Sequence, residues 1–376
     1  LDTTFLAAAS WLITGSASID RCDVGDSVVR AIERRRTQFS QADLAMIRHR
    51  RARCNRDWEQ SIVEMRDRVV AEPGSTLPRW ALAANLRRAN RPAEAVVVLH
   101  ALDPTRDLGW MSDDGKVMYW REMAWAYHTL GDSAGQQLAV AGFRRMAPGR
   151  LATVYFTSLQ RVSAGRPNEA VDALSEVERF TADPPMVAGE ISGRLPPARV
   201  ATPAWVLYQI GTELLSIGDS VRSVALARRA VRWLATRPSE ERSTVAARYQ
   251  RILALELEGA LDSAWTDVRQ LVQYAPANIE IRGRMGVLAA RRGDRAAAMA
   301  VDGWLARLTG AMPPGLPHFE RARIAAVLGE HDRAMELLET LPFGMHPVDV
   351  AFLHSDPAFR SLHSDERWIR MLKPRG

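Results

Sequence analysis

Lysine is nearly absent from this chain of 376 residues: of 50 basic side chains only Lys116 and Lys373 are lysines, and arginine supplies the rest. A bias of that kind reflects codon composition more than chemistry, so the formal net charge of +6 says little by itself about a nucleic-acid or membrane partner. Long apolar runs are missing too. The longest, Phe5 to Thr14, is about half of the ~20 residues that a spanning helix needs. Cysteine is limited to Cys22 and Cys54, too few for a disulfide framework or for a zinc site with its roughly four N or S ligands. The eight histidines are scattered, without an H-E-x-x-H pattern or a pair at helical spacing, so no metal and no cofactor is expected. The chain begins at Leu1 rather than Met, which suggests a processed product or a piece of a longer protein.

What is present is ordinary globular usage, 47% hydrophobic and 25% charged. Tryptophan is the exception. Eleven Trp stand against six Tyr and nine Phe, most of them in helical-looking segments, where large rings are expected to pack as core. A polar turn containing Gly or Asn recurs at Arg56-Asp57, Asn90-Arg91-Pro92, Gly131-Asp132, Gly165-Arg166-Pro167, Gly218-Asp219, Gly259, Gly293-Asp294 and Gly329-Glu330. Three of the seven spacings are 34 residues. Each turn is flanked by about 12 to 16 residues with apolar spacing of three and four, so the unit is a helical hairpin. Pro73, Pro104, Pro148, Pro184, Pro238, Pro276 and Pro342 are placed to end hairpins.

The chain resembles a tetratricopeptide-repeat (TPR) α-solenoid. Its best unit reads Trp120-x2-Met123-Ala124-x2-Tyr127, then Gly131, then Pro148, and the second-helix signature recurs as Ala95/Leu99, Ala170/Leu174, Ala264/Val268 and Ala334/Leu338. Gln136 stands where the alanine belongs in the best unit. The fold expected is all-α: a right-handed solenoid of about eight hairpins with a short C-terminal helical cap. An imperfect hairpin covers 1–41, repeats cover 42–341 with a Pro/Gly-rich excursion at 181–203, and the cap covers 342–376. A looser resemblance rests on Leu1-Asp-Thr-Thr-Phe5, the Arg-rich second helix, the turn at Pro73, Asn90-Arg91-Pro92 and His354-Ser355-Asp356-Pro357. It points to the C-terminal repeat region of bacterial Ser/Thr protein kinases and winged-helix regulators. Equivalent positions in adjacent hairpins lie about 10 Å apart, beyond the ~7 Å Cα limit for a disulfide, so Cys22 and Cys54 are expected as separate thiols.

Candidate chemistry is sparse. Gly109 to Val117 imitates a phosphate loop but has one residue too many between its glycines, Val117 in place of Ser or Thr, and Asp113 and Asp114 to repel phosphate; it is expected as an inserted loop. His354-Ser355-Asp356 and His363-Ser364-Asp365 hold the residue types of a hydrolase triad, yet contiguous residues cannot take up its geometry. Asp356 and Ser364 are expected instead to cap two short sealing helices. Ten residues before each turn, a position that faces the groove in TPR proteins, stand Trp80, Arg121, Tyr155, Tyr208, Tyr249, Gly283 and Phe319; with Trp125 the side-chain-bearing ones form a candidate groove, and a slip of one residue would make them inter-helix packing instead. From Arg30 to Arg68, 11 Arg meet six acids, and Arg34, Arg35, Arg36, Arg48, Arg50, Arg51 and Arg53 form a candidate basic end for an anionic protein or membrane surface. The alternative is a solvated helix face. RNA reading needs similar polar pairs in every repeat, which are missing, and no nucleophile, base or metal cluster converges.

The function expected is therefore a non-catalytic protein-interaction scaffold, with neither nucleic acid nor a small-molecule substrate as partner. The leading form is the sensory or docking region of a bacterial regulatory protein; the alternative is an accessory structural subunit docking onto a larger multiprotein complex, at a membrane or away from one. A periplasmic or membrane-associated location is favoured over the cytoplasm.

Overall fold

The computed structural model describes residues 6–18, 22–55, 57–107, 113–180, 202–309, 315–341 and 350–376. Among them there are helices and no strand. The chain divides into two compact units, the first of residues 1–132, 342–345 and 374–376, the second of 133–341 and 346–373. The first holds α1 (Leu6–Ser18), α2 (Cys22–Glu33), α3 (Gln41–Cys54), α4 (Trp58–Ala71), α5 (Leu77–Arg88), α6 (Pro92–His100) and α7 (Asp113–Leu130). Each helix from α1 to α6 packs on the next, and α1 on α3 and α5 on α7 as well, which is the neighbour pattern of stacked hairpins.

The second unit holds α8 (Ser133–Met146), α9 (Leu151–Ser163), α10 (Pro167–Asp172), α11 (Pro203–Ser216), α12 (Ser220–Ala235), a short α13 (Ser239–Ser243), α14 (Val245–Glu258), α15 (Leu261–Tyr274), α16 (Ile279–Arg291), α17 (Arg295–Thr309), α18 (Leu316–Val327) and α19 (His331–Glu339). After them come α20 (Val350–Leu353), a 3-10 helix (Pro357–Leu362) and α21 (Glu366–Leu372). First helices pack on first helices, α9 on α11, α11 on α14 and α16 on α18. The architecture is the all-α, TPR-like solenoid of helical hairpins that the resemblance implies.

Seven of the eight repeat turns are where the sequence placed them; of the eighth, Arg56 lies outside the described residues and Asp57 caps α4. Gly131, Gly165, Gly218, Gly259, Gly293 and Gly329 all have φ between 69° and 90°, and Asn90 (φ 59°) is the one non-glycine in that region among the described residues. Asparagine tolerates left-handed backbone better than other side chains, which explains how one repeat dispenses with glycine. At Gly259 (φ 90°) an added Cβ would meet nothing within 4 Å, so the constraint there is backbone conformation alone. Gly259→Ala is expected to cost about 1–2 kcal/mol in a denaturation titration; a cost near zero would show that the turn relaxes.

The alanines of the second-helix signature, Ala95, Ala170, Ala264 and Ala334, are fully buried, as are Leu99, Leu174 and Val268, with Leu338 1% exposed. Small side chains let two helices approach and the large one fills the adjoining space. Gln136 is also fully buried, and neither amide atom has a partner among the described residues. Pro73, Pro104, Pro148, Pro238 and Pro276 follow helix ends; Pro184 and Pro342, and the excursion between 181 and 201, lie outside the described residues. Pro203 opens α11, capped by Thr202. Trp58, Trp125, Trp205, Trp233 and Trp368 are core, whereas Trp11 is 75% exposed.

Three expectations are corrected. Cys22 and Cys54 form a disulfide, with Cα atoms 5.7 Å apart. Cys22 opens α2 and Cys54 closes α3, and because these neighbours run antiparallel the two positions share one end of the pair instead of being equivalent. Residues 113–117 are the first turns of α7, not loop, while 108–112 lie outside the described residues. The last helix is capped by Asp365, whose carboxylate accepts from the Arg367 N–H, not by Ser364. Asp356 caps the 3-10 helix as expected, accepting from the Ala358 N–H at 3.0 Å.

Candidate functional site

In the second unit the first helices α11, α14, α16 and α18 carry a stripe of large and charged side chains around a cavity of about 50 Å³, room for a few waters. Trp205, Gln209 and Thr212 come from α11, Tyr249 and Leu253 from α14, Glu280 and Arg284 from α16, and Arg323 from α18. The far wall is Phe352, Ser355, Asp356 and Pro357 of the C-terminal segment. That segment's 3-10 helix touches both α18 and α11.

The electrostatics are those of buried, paired charge. Arg323 Nε and Nη2 both donate to Asp356 Oδ2, at 2.8 and 2.5 Å, and Nη1 donates to Glu320 Oε1 at 2.7 Å. Arg284 Nη1 donates to Glu256 Oε2 at 3.1 Å, and Arg291 pairs with the other oxygen of Glu256. His354 Nε2 lies 2.9 Å from Glu213 Oε2, across 141 residues of chain. Burial pushes the Asp356 carboxyl up, but Arg323 and Arg284 outweigh it and hold the group below its ordinary value. For Glu320 burial wins, against Arg323 and Arg284, and its pKa is pushed up to about 7. Burial likewise raises the Tyr208 hydroxyl to about 12. Gly283 is the floor beneath Glu320: a Cβ there would collide with the Glu320 side chain.

The sign for Glu320 follows. An acid whose folded pKa is raised binds more protons folded than unfolded between about 4.5 and 7, so its contribution falls as pH rises through that window. Asp356 opposes it only at lower pH, since its stabilisation is lost as pH falls through its depressed value. Glu320→Gln is therefore expected to leave stability unchanged near pH 5 and to raise it by about 1–3 kcal/mol at pH 8. Urea titrations of both chains at the two pH values check this; parallel pH dependences would refute it.

Of the candidate groove residues, Tyr208 and Tyr249 line this cavity. Tyr155 is fully buried on α9, 5.2 Å ring to ring from Trp205, and Phe319 is fully buried against Phe359 with the Arg323 guanidinium 4.3 Å over its ring. These two are packing positions. Trp80 is partly buried on α5, and Trp125 is 1% exposed and edge-on to His128. Arg121, also in the first unit, is buried beside Glu122, its Nη2 donating to Glu122 Oε1 at 2.9 Å. Arg284, Arg323, Glu280 and Thr212 were missed. Counted back from their turn residues, cavity-lining positions fall at 13, 10 or 9, and 6 residues, one helical stripe; reading the stripe instead of its central position would have found them.

The basic residues of the first unit divide in two. Arg48 pairs with Glu33 through two hydrogen bonds of 2.5 and 2.9 Å, Arg51 with Asp26 at 2.8 Å, and Arg50 donates to Thr14 Oγ1 at 2.5 Å. Arg34, Arg35 and Arg36 are exposed at the start of the α2–α3 connection, and Arg53 is exposed at the end of α3. A helix of 14 residues separates these two places by about 20 Å.

The residue types of a hydrolase triad are engaged elsewhere. Ser355 Oγ donates to the Phe352 carbonyl, His354 meets Glu213 and the Val350 carbonyl, and Asp356 is held by Arg323.

No protein-family model matches the chain, and no curated protein matches it. Among solved structures, 73 chains match. A tetratricopeptide repeat protein from Parabacteroides merdae is 11% identical, with a TM-score of 0.37 over 84% of this chain and 98% of that one. A Rap protein complexed with competence and sporulation factor is 11% identical, with a TM-score of 0.36 over 90% and 96%. A Naa15/Naa10 structure bound to HypK-THB is 13% identical, with a TM-score of 0.34 over 89% of this chain and 51% of that chain. At these values the assignment of fold rests on the hairpin geometry itself.

Proposed function

We propose that this chain is a non-catalytic protein-interaction scaffold whose recognition face is the first-helix stripe of α11, α14, α16 and α18. The observation that carries the reading is the kind of side chain gathered there: aromatic rings and arginines set along four successive first helices, the residue types enriched in protein interfaces. Within the scaffold reading, the sensory or docking region of a regulatory protein is the favoured form. The Cys22–Cys54 disulfide supports a place on the oxidising side of a membrane, the periplasmic one in a bacterium. The accessory-subunit alternative is favoured by apolar side chains left exposed in the first unit, Trp11 at 75%, Val70 at 79% and Val97 at 70%, and by the exposed Arg34 and Arg36.

A photo-crosslinking residue at Gln209, partly exposed at the rim of the stripe, is compared with one at Val221, 79% exposed on the second helix α12. In native membranes and cells the Gln209 probe is expected to trap a discrete protein and the Val221 probe is not. Trapping from Val221 alone would move the recognition face to the second helices. Trapping from neither would remove the scaffold reading.

A further inference from the structure

We propose that residues 350–357 are an internal occupant of this face, and that the partner they exclude is an acidic peptide segment whose carboxylate replaces Asp356 on Arg323. The inference rests on the scaffold reading and adds to it the chemistry of the partner and the competitor already in place.

The placement comes first. The segment does more than seal the last hairpin, a task that Phe359, Leu362 and Trp368 perform as buried core. Its upstream half reaches back over the repeats, with Asp356 on Arg323 of α18 and His354 on Glu213 of α11, so that one short stretch of chain is held from the last first helix to one three hairpins earlier. A short helical turn with the residues that follow it, anchored through His354 and Asp356 to side chains on two separate repeats, is placed as a docked helical peptide would be.

The anchor is a carboxylate. One oxygen of Asp356 receives two guanidinium N–H donors, a charge-assisted contact stronger than neutral hydrogen bonds, and both side chains are 7% exposed. Below it the face still offers donors. Tyr249 Oη and Arg284 Nε are buried without a hydrogen-bond partner among the described residues, as is Glu320 Oε2, and the cavity beside them holds about 50 Å³. Leaving such groups unmatched costs roughly 1–3 kcal/mol each. The internal segment therefore fits the face incompletely, and its occupancy owes much to being tethered, where an effective concentration in the millimolar range compensates for a weak match. A separate acidic segment with a further acceptor to set against Tyr249 and Arg284 would bind the same arginine and match what the internal one leaves open. Glu320 and Glu256 keep one contact each with Arg323 and Arg284, but only a carboxylate restores the two N–H contacts that Asp356 makes on Arg323.

The test uses the full chain and a labelled nonapeptide of the sequence Val-Ala-Phe-Leu-His-Ser-Asp-Pro-Ala, residues 350–358. Fluorescence anisotropy is expected to show Asp356→Asn binding it at least ten-fold more tightly than the unaltered chain. Replacing Asp by Asn in the peptide should weaken binding to that variant at least ten-fold, and adding Arg323→Gln to the variant should abolish it. Equal binding of the Asp and Asn peptides would overturn the proposal, and so would no binding to an Asp356→Asn chain that melts like the unaltered one. Should that variant fail to fold, His354→Gln loosens the segment at Glu213 without touching Arg323, and the same order of affinities is required. If the Gln209 probe traps a partner while the peptides fail, the scaffold reading stands and the carboxylate proposal falls.

Discussion

Replacing Glu122 with alanine is expected to lower the stability of the first unit by about 3–5 kcal/mol, the cost of stranding buried charge. Glu122 is 1% exposed on α7 and carries two buried arginines: Arg87 Nε donates to Oε2 at 2.6 Å and Arg121 Nη2 to Oε1 at 2.9 Å, with Arg88 at 3.9 Å. Burial opposes ionisation of the carboxylate, but the three arginines outweigh it and hold the pKa well below the ordinary range. Its stabilisation is thus complete above the unfolded value near 4.5 and is lost as pH falls. Urea unfolding monitored by circular dichroism measures the loss. The combined Glu122→Leu, Arg87→Met and Arg121→Met chain is expected to recover most of it, since an apolar trio of similar volume avoids desolvating charge. A loss below about 1 kcal/mol in the single variant would mean that water reaches the arginines.

Reduction of the Cys22–Cys54 bond is expected to cost about 3–4 kcal/mol by chain entropy alone, given a sequence separation of 32. Hydrogen exchange should locate the effect in α1 to α3, whose core is Ala9, Ile13, Val29, Ile32, Leu44 and Ile47, and leave the helices of the second unit unchanged. The Cys22→Ser, Cys54→Ser chain should behave like the reduced protein. Identical melting with and without reductant would show that packing of these three helices already restricts the unfolded chain as much as the bond does.

The repeat was legible because its determinants are local. A residue that must adopt positive φ is glycine or asparagine, so seven turns could be read from residue type and spacing, and the buried Ala/Leu pairs followed from helical periodicity. The caps at Asp57, Asp219 and Asn278 are equally local. Tertiary structure alone decided the rest. Whether Cys22 meets Cys54 depends on which ends of two antiparallel helices coincide, a matter of alignment between elements that spacing in sequence does not express. Whether Tyr208 or Phe319 lines a cavity depends on a rotation of one residue, about 100°, about the helix axis. Arg48 and Arg53 are the same residue in sequence, and only the tertiary structure sets Glu33 opposite the first, while burial around the guanidinium, with Arg88 and Arg50 nearby, lowers the pKa of the second to about 10. The meeting of His354 with Glu213 and of Asp356 with Arg323 brings together segments as much as 141 residues apart, through a return of the chain that no local pattern encodes.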